Sequence, residues 1–226
     1  MNMLYSSLSK CGKRRNNEDA FQVVFYPEES RWMGIVCDGI GGQPLGEVAS
    51  ATIVESICRY YETHRNEPDI CSILKAACCQ ACEDLNRKAD LFSQAEMGTT
   101  MVMACLDHDI LTIAHLGDSR CYVTNHKGKL THITHDHTHL SFGWEVLSKC
   151  FIAYQDTPFE PEIKQLRVTQ GCRVLLCSDG LYKSMPPEIL LARINEDKRP
   201  EEILDVLDFL CEKNGDDNYT AILATL

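Results

Sequence analysis

The feature that most constrains this 226-residue sequence is an apolar run that stops at an acid. Ile35-Val36-Cys37 leads into Asp38-Gly39, and Ile40 is followed by Gly41-Gly42. A short apolar run bounded by glycine reads as a buried strand. An acid at its end is then held at a sheet rim on stiff backbone. The glycines let the chain reverse or approach a ligand closely. The pattern recurs. Leu116-Gly117-Asp118-Ser119-Arg120 follows the run from Ile110 to His115, and Ser178-Asp179-Gly180 follows Val174 to Cys177. Asp216-Asp217-Asn218 precedes Tyr219 to Leu223, and Glu18-Asp19 precedes Ala20 to Phe25. Carboxylates at strand ends along a whole chain are what a hard-cation site with oxygen ligands requires.

Composition narrows the classes. The net charge of -11 argues against a nucleic-acid partner, because phosphate backbones bind basic surfaces. No apolar stretch approaches the roughly 20 residues of a membrane helix, and Met1 to Lys13 lacks an apolar leader core. These observations lead us to expect a cytoplasmic protein with no membrane partner. Thirteen cysteines then read as reduced thiols used as small buried hydrophobes. Cys79 and Cys82 form a CxxC in a helical stretch; with no second such pair, it reads as helix packing rather than zinc.

Periodicity supplies the elements. Strands are expected at Met3 to Ser9, Ala20 to Tyr26 and Trp32 to Cys37. Gly46 to His64 and Asp69 to Phe92 have helical spacing. Strands follow at Thr99 to Leu106, Ile110 to His115, Ser119 to Thr124 and Leu130 to Thr134. His135 to Phe159 has no clear period. Glu162 to Val168 and Cys172 to Cys177 read as strands, Pro186 to Asn195 and Pro200 to Lys213 as helices, and Tyr219 to Leu223 as a last strand. Antiparallel strand groups with helices inserted in pairs make an α+β chain, not an alternating α/β one. No repeat or linker divides residues 1–226, so one domain is expected.

Six short motifs stand in one order: Arg14-Arg15-Asn16-Asn17-Glu18-Asp19, Asp38-Gly39 with Gly41-Gly42, Gly98-Thr99-Thr100, Gly117-Asp118-Ser119-Arg120, Ser178-Asp179-Gly180-Leu181 and Asp217-Asn218. Together they resemble the metal-dependent protein serine/threonine phosphatases of type 2C, in their bacterial form. The resemblance implies a four-layer α/β/β/α sandwich with Mn²⁺ or Mg²⁺ at one end, hydrolysing phosphoserine or phosphothreonine in proteins that a serine/threonine kinase has modified. It also implies roles. Asp38 bridges two ions, Glu18 and the Gly39 carbonyl serve one, and Asp179 and Asp217 hold the other. Asp118 with Asp179 matches a weaker third site. Asp19 lies behind the ligands, and Arg14 grips the substrate phosphate.

The residues also depart from the family pattern. Many members carry a histidine directly after the Asp-Gly, as an acid for the leaving group; Ile40 stands there, as an apolar residue does in bacterial-type members. The family's flap, with its helical segment, is shortened and rewritten around Ser141-Phe142-Gly143-Trp144-Glu145-Val146. His132, His135, His137 and His139 read as a solvated loop, with zinc as the alternative. Asp107-His108-Asp109 resembles an aspartate-nucleophile motif, but Leu111 stands where Thr or Val is wanted, so a turn is preferred. Gly117-Asp118-Ser119 as a serine-hydrolase block leaves Asp38, Asp179 and Asp217 unexplained. No cysteine has an arginine six residues on, which excludes the usual cysteine-phosphatase loop. The remaining rival is a catalytically weak, phosphatase-like binding module.

Overall fold

The computed structural model describes residues 3–40 and 45–226; Gly41 and Gly42 lie outside the described residues. The chain begins with β1 (Leu4–Lys10), β2 (Asp19–Tyr26) and β3 (Arg31–Asp38), then the helices α1 (Gly46–His64) and α2 (Ile70–Asp90). Next come β4 (Gly98–Thr99), β5 (Met101–Asp107), β6 (Ile110–Leu116), β7 (Arg120–Thr124) and β8 (Leu130–Ile133). Three short strands follow, β9 (Thr138–Ser141), β10 (Trp144–Leu147) and β11 (Phe151–Ile152), before β12 (Glu162–Arg167) and β13 (Arg173–Cys177). A single turn, α3 (Asp179–Tyr182), leads to α4 (Pro187–Ile194), α5 (Pro200–Asn214) and the closing β14 (Tyr219–Thr225).

Two five-stranded antiparallel sheets result, in the orders β1-β14-β13-β7-β8 and β12-β6-β5-β3-β2. Their central strands are buried on both faces, which is why they read as unbroken apolar runs. In β3 the alternation is explicit. Trp32 and Val36 meet Val174, Leu176 and Ile222 between the sheets, while Met33, Ile35 and Cys37 pack against Ile53, Ile57 and Leu74 of α1 and α2. On the far side, Leu175, Cys177 and Leu223 pack against Leu190, Ile203 and Leu207 of α4 and α5. Three apolar layers therefore separate four structural ones, as expected of the α/β/β/α sandwich. Cys37, Cys78 and Cys105 lie in one layer, Cys121 and Cys172 in the next, and Cys177 and Cys211 in the third. All thirteen cysteines are free thiols. Among the described residues, no helix is long and apolar enough to cross a membrane.

Helix ends follow local chemistry. Asp69 caps α2 by accepting hydrogen bonds from the Cys71 and Ser72 amides. Pro187 and Pro200 open α4 and α5, where a missing amide hydrogen costs nothing.

The stretch without periodicity, 135–159, departs most from a loop. Its first half is a hairpin, Thr138↔Leu147 to Ser141↔Trp144. The two-residue turn is Phe142-Gly143, both at positive φ (50° and 86°). That is the twist a tight hairpin needs, normally signalled by Asn-Gly; phenylalanine in the first position hides it. Where the family has a helical flap, this chain has a small β-hairpin. The one-turn α3 is also absent from the periodicity reading, because four residues are too few to show a period.

Candidate active site

The acids at the strand ends meet. Glu18, Asp38, Asp118, Asp179 and Asp217 line one open cavity of about 410 Å³, together with Arg14, Arg15, Gly39, Ile40 and Leu147. They come from five separate segments of both sheets. The cavity lies at the sandwich end where β3, β6 and β13 finish and β2 and β14 start.

The backbone around Asp38 is fixed on both sides. Its amide donates to Thr100 Oγ1 at 3.1 Å, and its carbonyl accepts from the Thr100 amide at 2.8 Å and the Thr99 hydroxyl at 2.8 Å. Thr100 Oγ1 in turn shares a 2.7 Å hydrogen bond with Ser119, beside Asp118. Gly39 is a steric requirement, since a Cβ there would stand 2.5 Å from Gly46 backbone and 2.8 Å from the Glu18 carbonyl. Gly180 is tighter still, with its Cβ position 1.9 Å from the Asn218 carbonyl. That approach sets Asp179 beside Asp217.

Asn218 ties the first motif to the last. Its Oδ1 accepts from the Glu18 amide, and its Nδ2 donates to the Cys11 and Asn16 carbonyls, each at 2.8 Å. The loop carrying Arg14 and Glu18 is thereby pinned to the strand that follows Asp217. Asp19 lies buried behind the cavity and accepts from Ser178 Oγ at 2.7 Å, while its other oxygen has no partner in the protein. Tyr182 donates to the Asp118 carbonyl at 3.1 Å, and Arg120 lies 3.7 Å above the Tyr182 ring while chelating Asp136.

The charges are crowded. Burial, then the charges of Asp19, Asp179 and Asp118, push the Asp38 carboxyl well above its ordinary range. Burial and then Asp179 push Asp118 up to about 6, against the pull of Lys183. Burial pushes Asp19 to about 6 as well, opposed by the Ser178 hydrogen bond. Glu18 is raised by burial and by Glu47. Two cations answer part of this charge. Arg14 Nη2 donates to Asp217 Oδ2 at 2.8 Å, and Lys183 Nζ lies 2.7 Å from Asp179 Oδ2 and 3.7 Å from Asp118 Oδ2. Among the described residues no salt bridge reaches Glu18, Asp38 or Asp19. Uncompensated carboxylates, an orphaned buried carboxylate oxygen and oxygen-only donors fit hard divalent cations rather than zinc or copper.

In the histidine patch His135 and His139 are exposed, as expected of a solvated stretch, but His137 is not. His137 is buried and stacks on His115 at 4.5 Å. Its Nδ1 accepts the Gly117 amide at 3.2 Å, and its own amide donates to the Gly117 carbonyl at 3.0 Å. The ring proton then sits on Nε2, which faces Glu162 at 3.5 Å. His115, His137 and Glu162 are close enough to suggest a metal cluster, but that proton occupies the lone pair an ion would need. His137 instead braces the turn before Asp118. Thr100, Ser119, Ser178 and Asn218 lay within the motifs without an assigned role. Lys183, four residues after Asp179, was not singled out at all.

Strand-end carboxylates of two packed sheets gathered around an open cavity, with an arginine at its rim, define the class of metal-dependent phosphatases. The model of the family "Protein phosphatase 2C" matches residues 9–224. The "Serine/threonine phosphatase stp" of Listeria monocytogenes is 30% identical over 93% of this chain and 90% of its own length. The crystal structure of the Mycobacterium tuberculosis serine/threonine phosphatase PstP/Ppp superposes with a TM-score of 0.85 at 26% identity, covering 99% of this chain and 98% of that one. The catalytic domain of PstP in complex with two manganese ions gives a TM-score of 0.81 at 27% identity, over 99% and 97% of the two chains. Against the longer PstP sequence, this chain spans 42% of the relative's length. The chain belongs to the protein phosphatase 2C family.

Proposed function

We propose that this protein removes phosphate from phosphoserine and phosphothreonine in proteins, using two divalent cations held at the end of the sandwich. Asp38 would serve both ions, Asp179 and Asp217 would hold one, and Glu18 with the Gly39 carbonyl would hold the other. When bound, the ions supply an acidified water and neutralise the phosphoryl oxygens for in-line displacement. Arg14 binds the substrate phosphate. Only one of its nitrogens is committed to Asp217, leaving further donors of a planar fork for phosphate oxygens. Ile40 lines the cavity and has no proton to give the leaving alkoxide.

One observation carries this reading: carboxylates from five distant segments share a cavity with Arg14, and among the described residues no salt bridge reaches Glu18 or Asp38. The substrates are the products of serine/threonine kinases, and the acid balance of -11 disfavours nucleic acid. Residues 1–226 act as one catalytic domain, supported by a family match that runs almost from end to end. Thirteen free thiols suit a reducing cytoplasm.

The decisive test is release of phosphate from phosphoserine and phosphothreonine peptides with Mn²⁺, with Mg²⁺ and with EDTA. Metal-dependent release that EDTA abolishes is expected. Ligation that raises the melting temperature without any turnover would instead identify the phosphatase-like binding module.

A further inference from the structure

Asp118 and Asp179 differ from the other acids of the cavity because a cation of the protein already stands between them. Asp118 follows β6 after the turn at Gly117, and Asp179 opens α3. Lys183 closes that turn, in helical conformation four residues after Asp179. Its ammonium is 2.7 Å from Asp179 Oδ2 and 3.7 Å from Asp118 Oδ2, so one Nζ serves a carboxylate from each sheet. Position and charge are those of an ion shared by the two acids. The side chains of Asp118 and Asp179 are only 14% and 20% exposed, which separates this contact from an ordinary surface pair. The Lys183 side chain is itself half exposed, with Nζ 5.8 Å from the centre of the Tyr182 ring, whose hydroxyl donates to the Asp118 carbonyl. Asp217 is answered by Arg14. Glu18 and Asp38 have no such answer among the described residues.

We propose that Lys183 permanently fills the Asp118/Asp179 cation position, so that this protein holds two divalent ions and has no third site. The sequence expectation of a third ion on Asp118 and Asp179 does not fit the residues around them. A lysine ammonium is a compact point charge with three donors, which suits an oxygen cage built for a small cation. A divalent ion entering there would have to expel a charge of its own sign. Asp118 then has a positioning role: it holds Lys183, which holds one face of Asp179 and leaves the other free. This inference rests on the two-ion reading above.

The count of bound ions tests it without recourse to activity. Mn²⁺ bound per chain is measured by equilibrium dialysis, and free Mn²⁺ by its electron paramagnetic resonance signal, up to millimolar metal. Two ions are expected for the native protein and three for Lys183→Met, which keeps an apolar stem and removes the charge. Lys183→Met combined with Asp118→Asn is expected to return the count to two. Asp118→Asn alone should leave it at two, and this variant does not depend on Lys183→Met folding. Three ions on the native protein, or a count that falls in Asp118→Asn, would overturn the proposal, as would two on a folded Lys183→Met. A native protein that binds no manganese would remove the two-ion reading itself, an outcome distinct from all of these.

Discussion

The acid rim and the β9–β10 hairpin border the same cavity, yet they are built by opposite means. The rim stands on strand ends of two sheets buried on both faces. Three of its five acids are held through hydrogen bonds at their backbone from elsewhere in the chain: Thr99 and Thr100 on Asp38, Asn218 on Glu18, Tyr182 on Asp118. The hairpin is a two-stranded sheet of its own, joined to the rest at its base by the His137 amide on the Gly117 carbonyl and by Leu147 at the cavity wall. Its side chains Leu140 and Trp144 are 80% and 77% exposed, and Phe142 at the turn is fully exposed. An isolated hairpin has little stability of its own in water. The difference teaches that the acid rim and the hairpin surface beside it are separable. One cannot shift without the core, whereas the other can be rewritten residue by residue.

The largest effect should come from the rim. Asp38→Asn should lower turnover by roughly a thousandfold or more, as expected when a shared ligand of two ions is lost. The melting temperature without metal should not fall, because a crowded buried charge has been removed. Turnover retained within tenfold would break the distinction between rim and hairpin. Next is the tie between first and last motifs. Asn218→Ala removes three hydrogen bonds and should destabilise the protein by about 2 kcal/mol, visible as a drop of several degrees in melting temperature. Arg14→Ala should raise KM for a phosphopeptide by roughly tenfold with a smaller change in kcat, because a phosphate grip acts largely in binding; unchanged kinetics would show that Arg14 serves Asp217 alone. The smallest effect belongs to the hairpin. Phe142→Ser with Trp144→Ser should change stability by less than about 0.5 kcal/mol, as exposed positions do, and leave p-nitrophenyl phosphate hydrolysis intact. A change confined to phosphopeptide KM would sharpen the contrast; a collapse of small-substrate turnover would erase it.

The same contrast decided what could be read from the sequence. Asp38 and Asp179 were legible through the order of the six motifs, since an acid before glycine at a strand end is by itself usually just a turn. The layers were legible because Trp32-Met33-Gly34-Ile35-Val36-Cys37 has no polar residue to turn outward. The pairing of Arg14 with Asp217, 203 residues away, was beyond any local pattern. Lys183 was hidden by its own spacing, since a lysine four residues after an aspartate looks like any exposed helix pair. His137 belongs to a polar stretch that gives no hint of burial, and its partner His115 lies in an apolar strand. The hairpin was hidden by a phenylalanine at a position whose backbone favours asparagine or glycine.

The pairing of β1 with β14 sets how the molecule would yield to force. The ladder runs from Leu4↔Thr225 to Lys10↔Tyr219, so both outer ends of the pair lie at the tip away from the cavity. A load applied across Leu4 and Thr225 would open this ladder like a zipper, one rung at a time, rather than by sliding the strands past each other. The last rungs to part would be those nearest Arg14 and Asp217, so the chain could lose much of its first strand to tension before the pairing of these two residues was disturbed.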